Sequence, residues 1–133
     1  MITSVDSNVL VDIFIDDKQF GKSSAQALQK CLNDGAVFVS GVVMVETMPL
    51  FATETDYFDT LFQLTVKCVT MNLQSYVCAA LAWKEYRVNG GPRNRAAADF
   101  LIGAHALVEC DRLLTRDRGF YRTYFRKLNV LEP

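Results

Sequence analysis

Several features that mark zinc-binding, membrane-bound or secreted proteins are rare in this sequence or missing from it. It contains a single histidine, His105, and its four cysteines form no C-x-x-C pair, which excludes the common structural zinc sites. The longest apolar stretch, around residues 37–45, is interrupted by Ser40, whereas a membrane-spanning helix needs about 20 apolar residues. The first residues, MITSVDSN, include no basic region and no apolar run, so we expect no secretory signal.

Proline and glycine are also scarce, with 3 and 7 residues, and they form no linker-like cluster. The chain has 133 residues, of which 50% are hydrophobic and 22% are charged. This is the size and composition of one ordinary globular domain, with enough apolar residues to fill a core. We therefore interpret residues 1–133 as a single domain.

The cysteines point to a reducing environment. Cys31, Cys68 and Cys78 each lie in apolar sequence, and we expect them to be small buried residues of a cytoplasmic protein. A disulfide that involves Cys110 or any of the other three remains an open alternative.

Neither sign of charge is in excess over the whole chain, which has 14 basic and 15 acidic residues. The distribution is nevertheless uneven. Residues 1–83 contain 4 basic and 9 acidic residues, and residues 84–133 contain 10 basic and 6 acidic residues. A basic C-terminal third is compatible with a face that binds nucleic acid or an acidic partner, and equally compatible with an ordinary solvated surface.

Short apolar, β-branched segments alternate with segments of helical periodicity. The pattern predicts strands at 1–5, 36–39, 66–71, 112–115 and 128–131, and helices at 8–15, 23–32, 42–51, 54–64, 74–88 and 96–109, with a short turn at 120–124. Such alternation is typical of an α/β fold. We expect a three-layer α/β/α sandwich around a mostly parallel sheet of four to five strands.

Two acidic residues follow predicted strands. Asp6 comes directly after the first strand, and Asp117 comes two residues after the strand at 112–115. Ligands of parallel sheets bind outside the carboxyl ends of the strands, so both carboxylates are candidates for a functional site. Alternatively, each aspartate forms a turn or caps a helix.

Two further acidic residues lie in strongly apolar segments. Asp99 belongs to a helix that is apolar on nearly every face, and Glu46 is the single charged residue between Asp34 and Glu54. A buried carboxylate is costly unless it has a cation or a hydrogen-bond donor beside it. The alternatives are that Asp99 lies in the first helical turn, where the helix dipole favours an acid, and that Glu46 reaches solvent.

The four isolated acids form one site if they come together. Carboxylates in close approach repel each other, so a cluster of them is useful when it binds a cation. With oxygen ligands, one histidine and no cysteine pair, the hard ions Mg²⁺ and Mn²⁺ are favoured over zinc. Such a centre suits phosphodiester hydrolysis.

Five segments of the chain, in order, resemble the motifs of the PIN-domain nucleases, and most closely those of the VapC-type toxin ribonucleases of toxin–antitoxin pairs. Residues 5–12 (VDSNVLVD) resemble the first motif, residues 39–46 (VSGVVMVE) the second, residues 98–106 (ADFLIGAHA) the third, and residues 113–120 (LLTRDRGF) the fourth. The ending LNVLEP resembles the closing strand of the family.

The resemblance implies an endoribonuclease that uses Mg²⁺ or Mn²⁺ to cleave single-stranded RNA, including loops of tRNA or rRNA. It implies that Asp6 and Asp99 bind the ion directly and that Asp117 binds it directly or through one water. Glu46 would orient a metal-bound water or complete the shell of a second ion, and Ser7 and Thr115 would hold Asp6 in place. It also implies a homodimer and a small antitoxin that blocks the pocket.

The chain departs from the family pattern at two positions. Many relatives have another acid where this sequence has Gly119, which weakens the case for a second ion. His105 lies where relatives have small residues, and we interpret it as a core or edge histidine without a catalytic role.

Basic residues flank the proposed pocket. We assign Arg95 and Arg116 to binding of the RNA backbone. The alternative is that they pair with acids of the antitoxin, or with Asp111 and Glu109 of this chain. Asp12 is interpreted as a solvated charge near a helix end, or as a residue of the pocket rim.

One other function remains open, and another is disfavoured. A PIN-like module that binds RNA or protein without cutting it would share the fold. A haloacid-type phosphatase would require Asp-x-Asp after the first strand, where this chain has Asp6-Ser-Asn8.

Overall fold

The computed structural model of the protein describes residues 1–92 and 97–133. Within these residues the strands are β1 (Ile2–Val5), β2 (Ala36–Ser40), β3 (Lys67–Val69), β4 (Arg112–Leu114) and β5 (Val130–Leu131). The helices are α1 (Ser7–Phe14), α2 (Gly21–Asp34), α3 (Gly41–Thr47), α4 (Glu54–Gln63), α5 (Leu73–Val88), α6 (Ala97–Glu109) and α7 (Arg118–Tyr124).

The five strands form one sheet in the order β3-β2-β1-β4-β5, and every pair of neighbouring strands is parallel. The prediction of an α/β/α sandwich is therefore confirmed, and the sheet is parallel throughout. The chain builds the sheet in one direction from β1 to β3 and then returns to the other side of β1 with β4. This reversal lies between β1 and β4, and in open parallel sheets a ligand crevice forms at such a position.

The core lies on both sides of the central strands, as expected for a parallel sheet covered by helices. Val5 on β1, Val39 on β2, and Leu113 and Leu114 on β4 are fully buried. On α6, Phe100 is fully buried and packs against aromatic rings from α5 and α7. This packing explains why α6 is apolar on most of its surface.

The predicted helix at 42–51 is divided in two. Ser40 caps α3 as predicted, because its hydroxyl accepts a hydrogen bond from the Val43 N–H. The α-helix ends at Thr47, and a short 3₁₀ turn continues over Met48–Leu50. Pro49 accounts for the change, since proline lacks an N–H and its ring crowds the carbonyl four residues earlier.

The predicted turn at 120–124 is part of a longer element, helix α7. The expectation that Cys68 is buried is wrong. Cys68 lies on β3, an edge strand with a single neighbour, and its side chain is exposed. Cys31 is buried, Cys78 and Cys110 are partly buried, and all four thiols are free.

None of the helices in the described part of the chain combines the length and the apolar character that crossing a membrane requires.

Candidate active site

Asp6 is fixed at the point where β1 ends and α1 begins. Its backbone N–H donates to the Leu114 carbonyl of β4, which ties the end of β1 to the neighbouring strand. Its Oδ1 accepts a 2.7 Å hydrogen bond from the Ser7 N–H, and its Oδ2 accepts a 2.7 Å bond from the Thr115 hydroxyl. Only 6% of the residue is exposed. Asp6 therefore has a single, well-defined orientation at the edge of the sheet.

The Thr115 hydroxyl is the centre of the hydrogen-bond network around Asp6. It donates to Asp6, and it accepts from the Asp117 N–H at 2.9 Å and from the Asn8 amide nitrogen at 3.3 Å. A hydroxyl has one proton and two lone pairs, so its hydrogen-bond capacity is fully used. Thr115 thus links the carboxylate that follows β1 to the segment that follows β4.

Asn8 is a site residue that the sequence reasoning missed. Its amide nitrogen also approaches Asp6 Oδ2 at 3.3 Å, and its amide oxygen accepts the Arg116 N–H at 3.1 Å. One side chain therefore bridges the start of α1 and the segment after β4. The available signal was its position two residues after Asp6, because a short amide there can bond back to the strand ends.

Asp117 follows the carboxyl end of β4, the parallel neighbour of β1, and Asp99 is near enough to Asp6 to act on its charge. Asp99 is in the first turn of α6, which was the alternative interpretation for this residue. Asp117 occupies the N-cap position of α7 but makes no side-chain capping bond there. Both residues are partly buried. The charge of Asp99 is close enough to Asp6 to raise the pKa of its carboxyl.

A second missed residue, Tyr121 of α7, lies within electrostatic range of all three aspartates. Burial raises the pKa of its hydroxyl, and the charges of Asp6, Asp99 and Asp117 raise it further. Tyr121 is fully buried. Within the described residues its hydroxyl has no hydrogen-bond partner at ordinary distance and angle. The phenol is therefore neutral, and its dipole, at close range, lowers the pKa of Asp6.

The pKa of Asp6 is raised above its ordinary value of 3.8. Desolvation by burial is the largest cause, and the negative charge of Asp99 acts in the same direction. The hydrogen bonds from Thr115 and Ser7 act in the opposite direction and offset part of the effect. Burial and the charge of Asp99 therefore disfavour the negative form of Asp6. A bound cation would favour that form.

Glu46 lies at an exposed position of α3. Its Oε1 accepts a 2.5 Å hydrogen bond from the Ser7 hydroxyl. Ser7 therefore has two contacts: its backbone N–H holds Asp6, as expected for a residue that positions Asp6, and its hydroxyl holds Glu46. Through Ser7, the glutamate is attached to the rim beside Asp6.

Of the two arginines assigned to RNA binding, the structure describes only Arg116. Arg95 lies outside the described residues. Arg116 forms an ion pair with Asp12 on α1, and this contact is the main reason that the pKa of Arg116 is raised. The interpretation of Asp12 as a solvated charge is wrong, because the residue is buried. Its carboxylate is paired instead of hydrated.

His105 lies in the core, as predicted. It is fully buried, its Nδ1 is 3.2 Å from the Ser4 hydroxyl on β1, and burial lowers its pKa. The imidazole is therefore neutral and packs α6 against the sheet.

The carboxylates are not drawn tightly together. Among residues 1–92 and 97–133, no three histidine, cysteine, aspartate or glutamate side chains lie close enough to enclose a metal ion. The donors still fit a hard divalent cation, because all of them are carboxylate oxygens. In addition, burial disfavours the charged form of Asp6, which a bound cation would stabilise. Mg²⁺ usually retains several waters and uses only one or two carboxylates, so an open arrangement of acids is compatible with it.

Known proteins resemble this chain in sequence profile and in fold. The sequence profile of the PIN domain matches residues 4–126. No curated protein matches the chain, whereas 32 chains of solved structures do.

One similar chain is in the crystal structure of VapBC2 from Rickettsia felis bound to a DNA fragment from their promoter. It is 17% identical, the match covers 99% of this chain and 98% of that one, and the TM-score is 0.76. A chain in the structure of VapBC-1 from nontypeable Haemophilus influenzae is also 17% identical, with coverage of 99% and 98% and a TM-score of 0.75. A chain in a toxin–antitoxin complex from Klebsiella pneumoniae is 18% identical, with coverage of 97% and 95% and a TM-score of 0.64.

These structures share the fold, and the profile covers nearly the whole chain, including all four acidic residues predicted for the site. The chain therefore belongs to the PIN domain family.

Proposed function

We propose that this protein is a metal-dependent endoribonuclease that hydrolyses phosphodiester bonds in single-stranded RNA. The observation that carries the proposal is the buried carboxylate of Asp6, held by Ser7 and Thr115 where the strand order of a PIN-family sheet reverses, with Asp99 and Asp117 near enough to act with it on the pKa of Tyr121. Two of these acids follow adjacent strands, and the third begins a helix. The proposal treats residues 1–133 as one nuclease domain, which the single buried core supports.

Mg²⁺ or Mn²⁺ is the proposed cofactor. Asp6 and Asp99 would bind the ion directly, and Asp117 would bind it directly or through a water. A bound divalent ion supplies two things to phosphodiester hydrolysis: it lowers the pKa of a bound water, and its positive charge offsets the negative charge of the phosphate. Water molecules and an RNA phosphate would complete its shell, which fits the open spacing of the carboxylates.

The chain's own residues prepare this centre. Thr115 and the Ser7 N–H donate to the two oxygens of Asp6 and hold its carboxylate in one orientation. Glu46, held by the Ser7 hydroxyl at the solvent-facing rim, is placed to accept a proton from an attacking water or to orient it. The neutral hydroxyl of Tyr121 lies close to Asp6 and lowers the pKa of its carboxyl. Arg95 is the proposed contact to the RNA backbone, and the pairing of Arg116 with Asp12 leads to a different proposal for Arg116 below.

We further propose that the protein is the toxin of a toxin–antitoxin pair. Support comes from the similar solved structures, which include VapBC assemblies and a toxin–antitoxin complex. A homodimer is part of the proposal, and an exposed apolar face on α5 supports it, formed by Leu73, Val77, Leu81 and Val88. The four free thiols fit a reducing cytoplasm, which is the proposed location.

Cleavage of a mixed pool of single-stranded and structured RNA tests the nuclease. The protein is incubated with Mn²⁺, with Mg²⁺ and with a chelator, beside the Asp6→Asn and Asp99→Asn variants. We expect cutting that requires the ion and falls at least about a hundredfold in either variant, because the metal centre supplies most of the rate. Full activity in either variant would refute the assignment.

Calorimetry with Mn²⁺ distinguishes the remaining outcomes. Metal binding by the wild-type protein without any cleavage would indicate that a specific RNA is missing from the pool. Neither binding nor cleavage would favour the second candidate, a PIN-fold module that binds RNA or protein without cutting it. The described carboxylates, which are not gathered tightly enough to enclose an ion by themselves, keep this candidate open.

A further inference from the structure

An ion pair between a buried carboxylate and a partly exposed arginine lies beside Asp6, and neither of its residues is one of the four acids of the motifs. The guanidinium of Arg116 meets the carboxylate of Asp12 with two hydrogen bonds, Nε to Oδ2 at 2.7 Å and Nη2 to Oδ1 at 3.0 Å. This side-by-side geometry is the strongest form of an arginine–carboxylate contact. Asp12 is only 3% exposed, and its Oδ2 also accepts a 2.8 Å hydrogen bond from the Ser24 hydroxyl of α2.

A third contact closes around the same guanidinium. The ring of Phe20, in the connection between α1 and α2, lies 4.1 Å from the guanidinium carbon of Arg116. Phe20 is itself held in place, because its N–H donates to the Asp17 carboxylate at 2.8 Å. Side chains from α1 and from the connection between α1 and α2 therefore contact Arg116, and Ser24 of α2 holds the Asp12 carboxylate that pairs with it.

The backbone of Arg116 is part of the network that positions the acids. Its N–H donates to the Asn8 amide oxygen, and its two chain neighbours are Thr115 and Asp117. The N–H of Asp117 in turn donates to the Thr115 hydroxyl, which holds Asp6. The segment 115–117 is thus fixed on one side by the site and on the other by the side chain of Arg116.

The contacts of Arg116 argue against a free cation waiting for RNA. Its charge is neutralised by a carboxylate at 2.7 Å, and the guanidinium is covered on one face by an aromatic ring. Attraction to a phosphate would have to compete with a paired, buried partner, whose loss is costly. A role in fixing the protein chain uses all of these contacts.

We propose that Asp12 and Arg116 are positioning residues that fix the segment 115–117 and thereby the carboxylate of Asp117. We call the set Asp12, Phe20, Ser24 and Arg116 the latch. The effect of the latch on cleavage rests on the proposed nuclease function, whereas its effect on the segment itself does not.

Amide hydrogen exchange of the metal-free protein, read residue by residue, tests the latch directly. The variants are Asp12→Asn, Arg116→Gln and the double variant. We expect exchange at the amides of Arg116 and Asp117 to accelerate at least about tenfold in each single variant, and no further in the double variant. Arg116→Lys keeps the charge but loses the paired geometry, and should show an intermediate acceleration.

Arg118→Gln is the matched control. Arg118 is two residues away and also forms an ion pair, with Glu132 at 3.1 Å, but both side chains of that pair are nearly half exposed. Its removal should leave the exchange of the segment unchanged, since exposed pairs contribute little. If Arg116 and Asp117 exchange at the wild-type rate in both Asp12→Asn and Arg116→Gln, the latch proposal is overturned.

Cleavage kinetics separate positioning from direct RNA contact. If the latch acts through Asp117, kcat falls about tenfold or more in Asp12→Asn and in Arg116→Gln alike, with KM nearly unchanged. A rise in KM confined to Arg116→Gln would instead show that Arg116 touches RNA, and would overturn the proposal. Should the wild-type protein neither bind Mn²⁺ nor cleave, the proposed function fails while the exchange experiment still decides the latch.

Discussion

The two halves of the candidate site are built differently. On the β4 side, Asp6 lies within a buried network whose hydrogen-bond donors and acceptors come from Asn8, Thr115 and the backbone that follows Thr115. On the β2 side, Glu46 is exposed on α3 and depends on one hydrogen bond from Ser7. One half is fixed before anything binds, and the other half is free to adjust.

The sheet explains this difference. β1 and β4 are neighbours, and their register pairs Val5 with Leu114, so the residues that follow, Asp6 and Thr115, meet without an intervening element. Glu46, by contrast, is six residues beyond the end of β2, on a helix of seven residues. Groups placed by strand ends are held more rigidly than groups placed by a short surface helix. Acids of one candidate site therefore differ in rigidity: Asp6 is fixed by the strand ends, and Glu46 is free to move.

The substitution Thr115→Val is the strongest test of the rigid half. Valine has nearly the shape of threonine but cannot donate to Asp6 or accept from Asp117 and Asn8. Leaving buried polar groups without partners costs about 1–3 kcal/mol for each group. We expect the free energy of unfolding to fall by about 2–4 kcal/mol in urea denaturation, because water will compensate for part of the loss.

Thr115→Ser is the control, since it retains the hydroxyl and removes only a methyl group. It should lose less than half as much stability as Thr115→Val. Equal losses in the two variants would mean that packing, and not the hydrogen-bond network, makes the β4 side rigid.

The next effect concerns pH and the charge of Asp6. Because burial raises the pKa of Asp6 above 3.8, the folded protein retains a proton that the unfolded chain has already released. The contribution of Asp6 to stability therefore decreases as the pH rises from about 4 through its raised pKa. Asp6→Asn removes this dependence.

Denaturation of the wild-type protein and of Asp6→Asn in the presence of chelator, between about pH 4 and pH 7, measures it. Whatever the fixed cost of the amide, the difference in unfolding free energy should shift in favour of Asp6→Asn as the pH rises. A difference that is independent of pH would show that the Asp6 carboxyl is not destabilised by burial.

The smallest effect on stability is expected in the adjustable half. Glu46→Gln retains an oxygen that can accept from Ser7, and the position is exposed, so the free energy of unfolding should change by less than about 0.5 kcal/mol. Metal-dependent cleavage should nevertheless fall at least about tenfold, because glutamine cannot accept a proton from water. If Glu46→Gln destabilises the protein as much as Thr115→Val, the contrast between the two halves is wrong.

Much of the fold could be predicted from the sequence. The strands and helices are encoded locally, by β-branched segments, apolar periodicity and a cap such as Ser40, and the structure has them within a few residues of the predicted bounds. The errors have local physical causes. Pro49 ends α3 early, and the position of β3 at the sheet edge exposes Cys68.

The sequence singled out candidates for the site, because an acid at or just beyond the carboxyl end of a buried strand has few places to go. Asp6 and Asp117 were predicted in this way, and Asp99 was predicted because it is charged in an apolar helix. Asn8 and Tyr121 were missed, since they become site residues only when the strand order brings β4 and α7 beside β1. For Asn8 the one signal in the sequence was its position two residues after Asp6, and for Tyr121 there was none.

The strands, the helices and the acids that follow the strands can be predicted from the sequence, because these features depend on neighbours along the chain. Tertiary structure alone decided which charges are paired. Asp12 and Arg116 are 104 positions apart, and only the packing of α1 beside the segment after β4 joins them. The same packing buries Asp12, which the sequence presents as a solvated charge, and pairs it with Arg116. Burial could not be predicted because it depends on what the fold places around a residue.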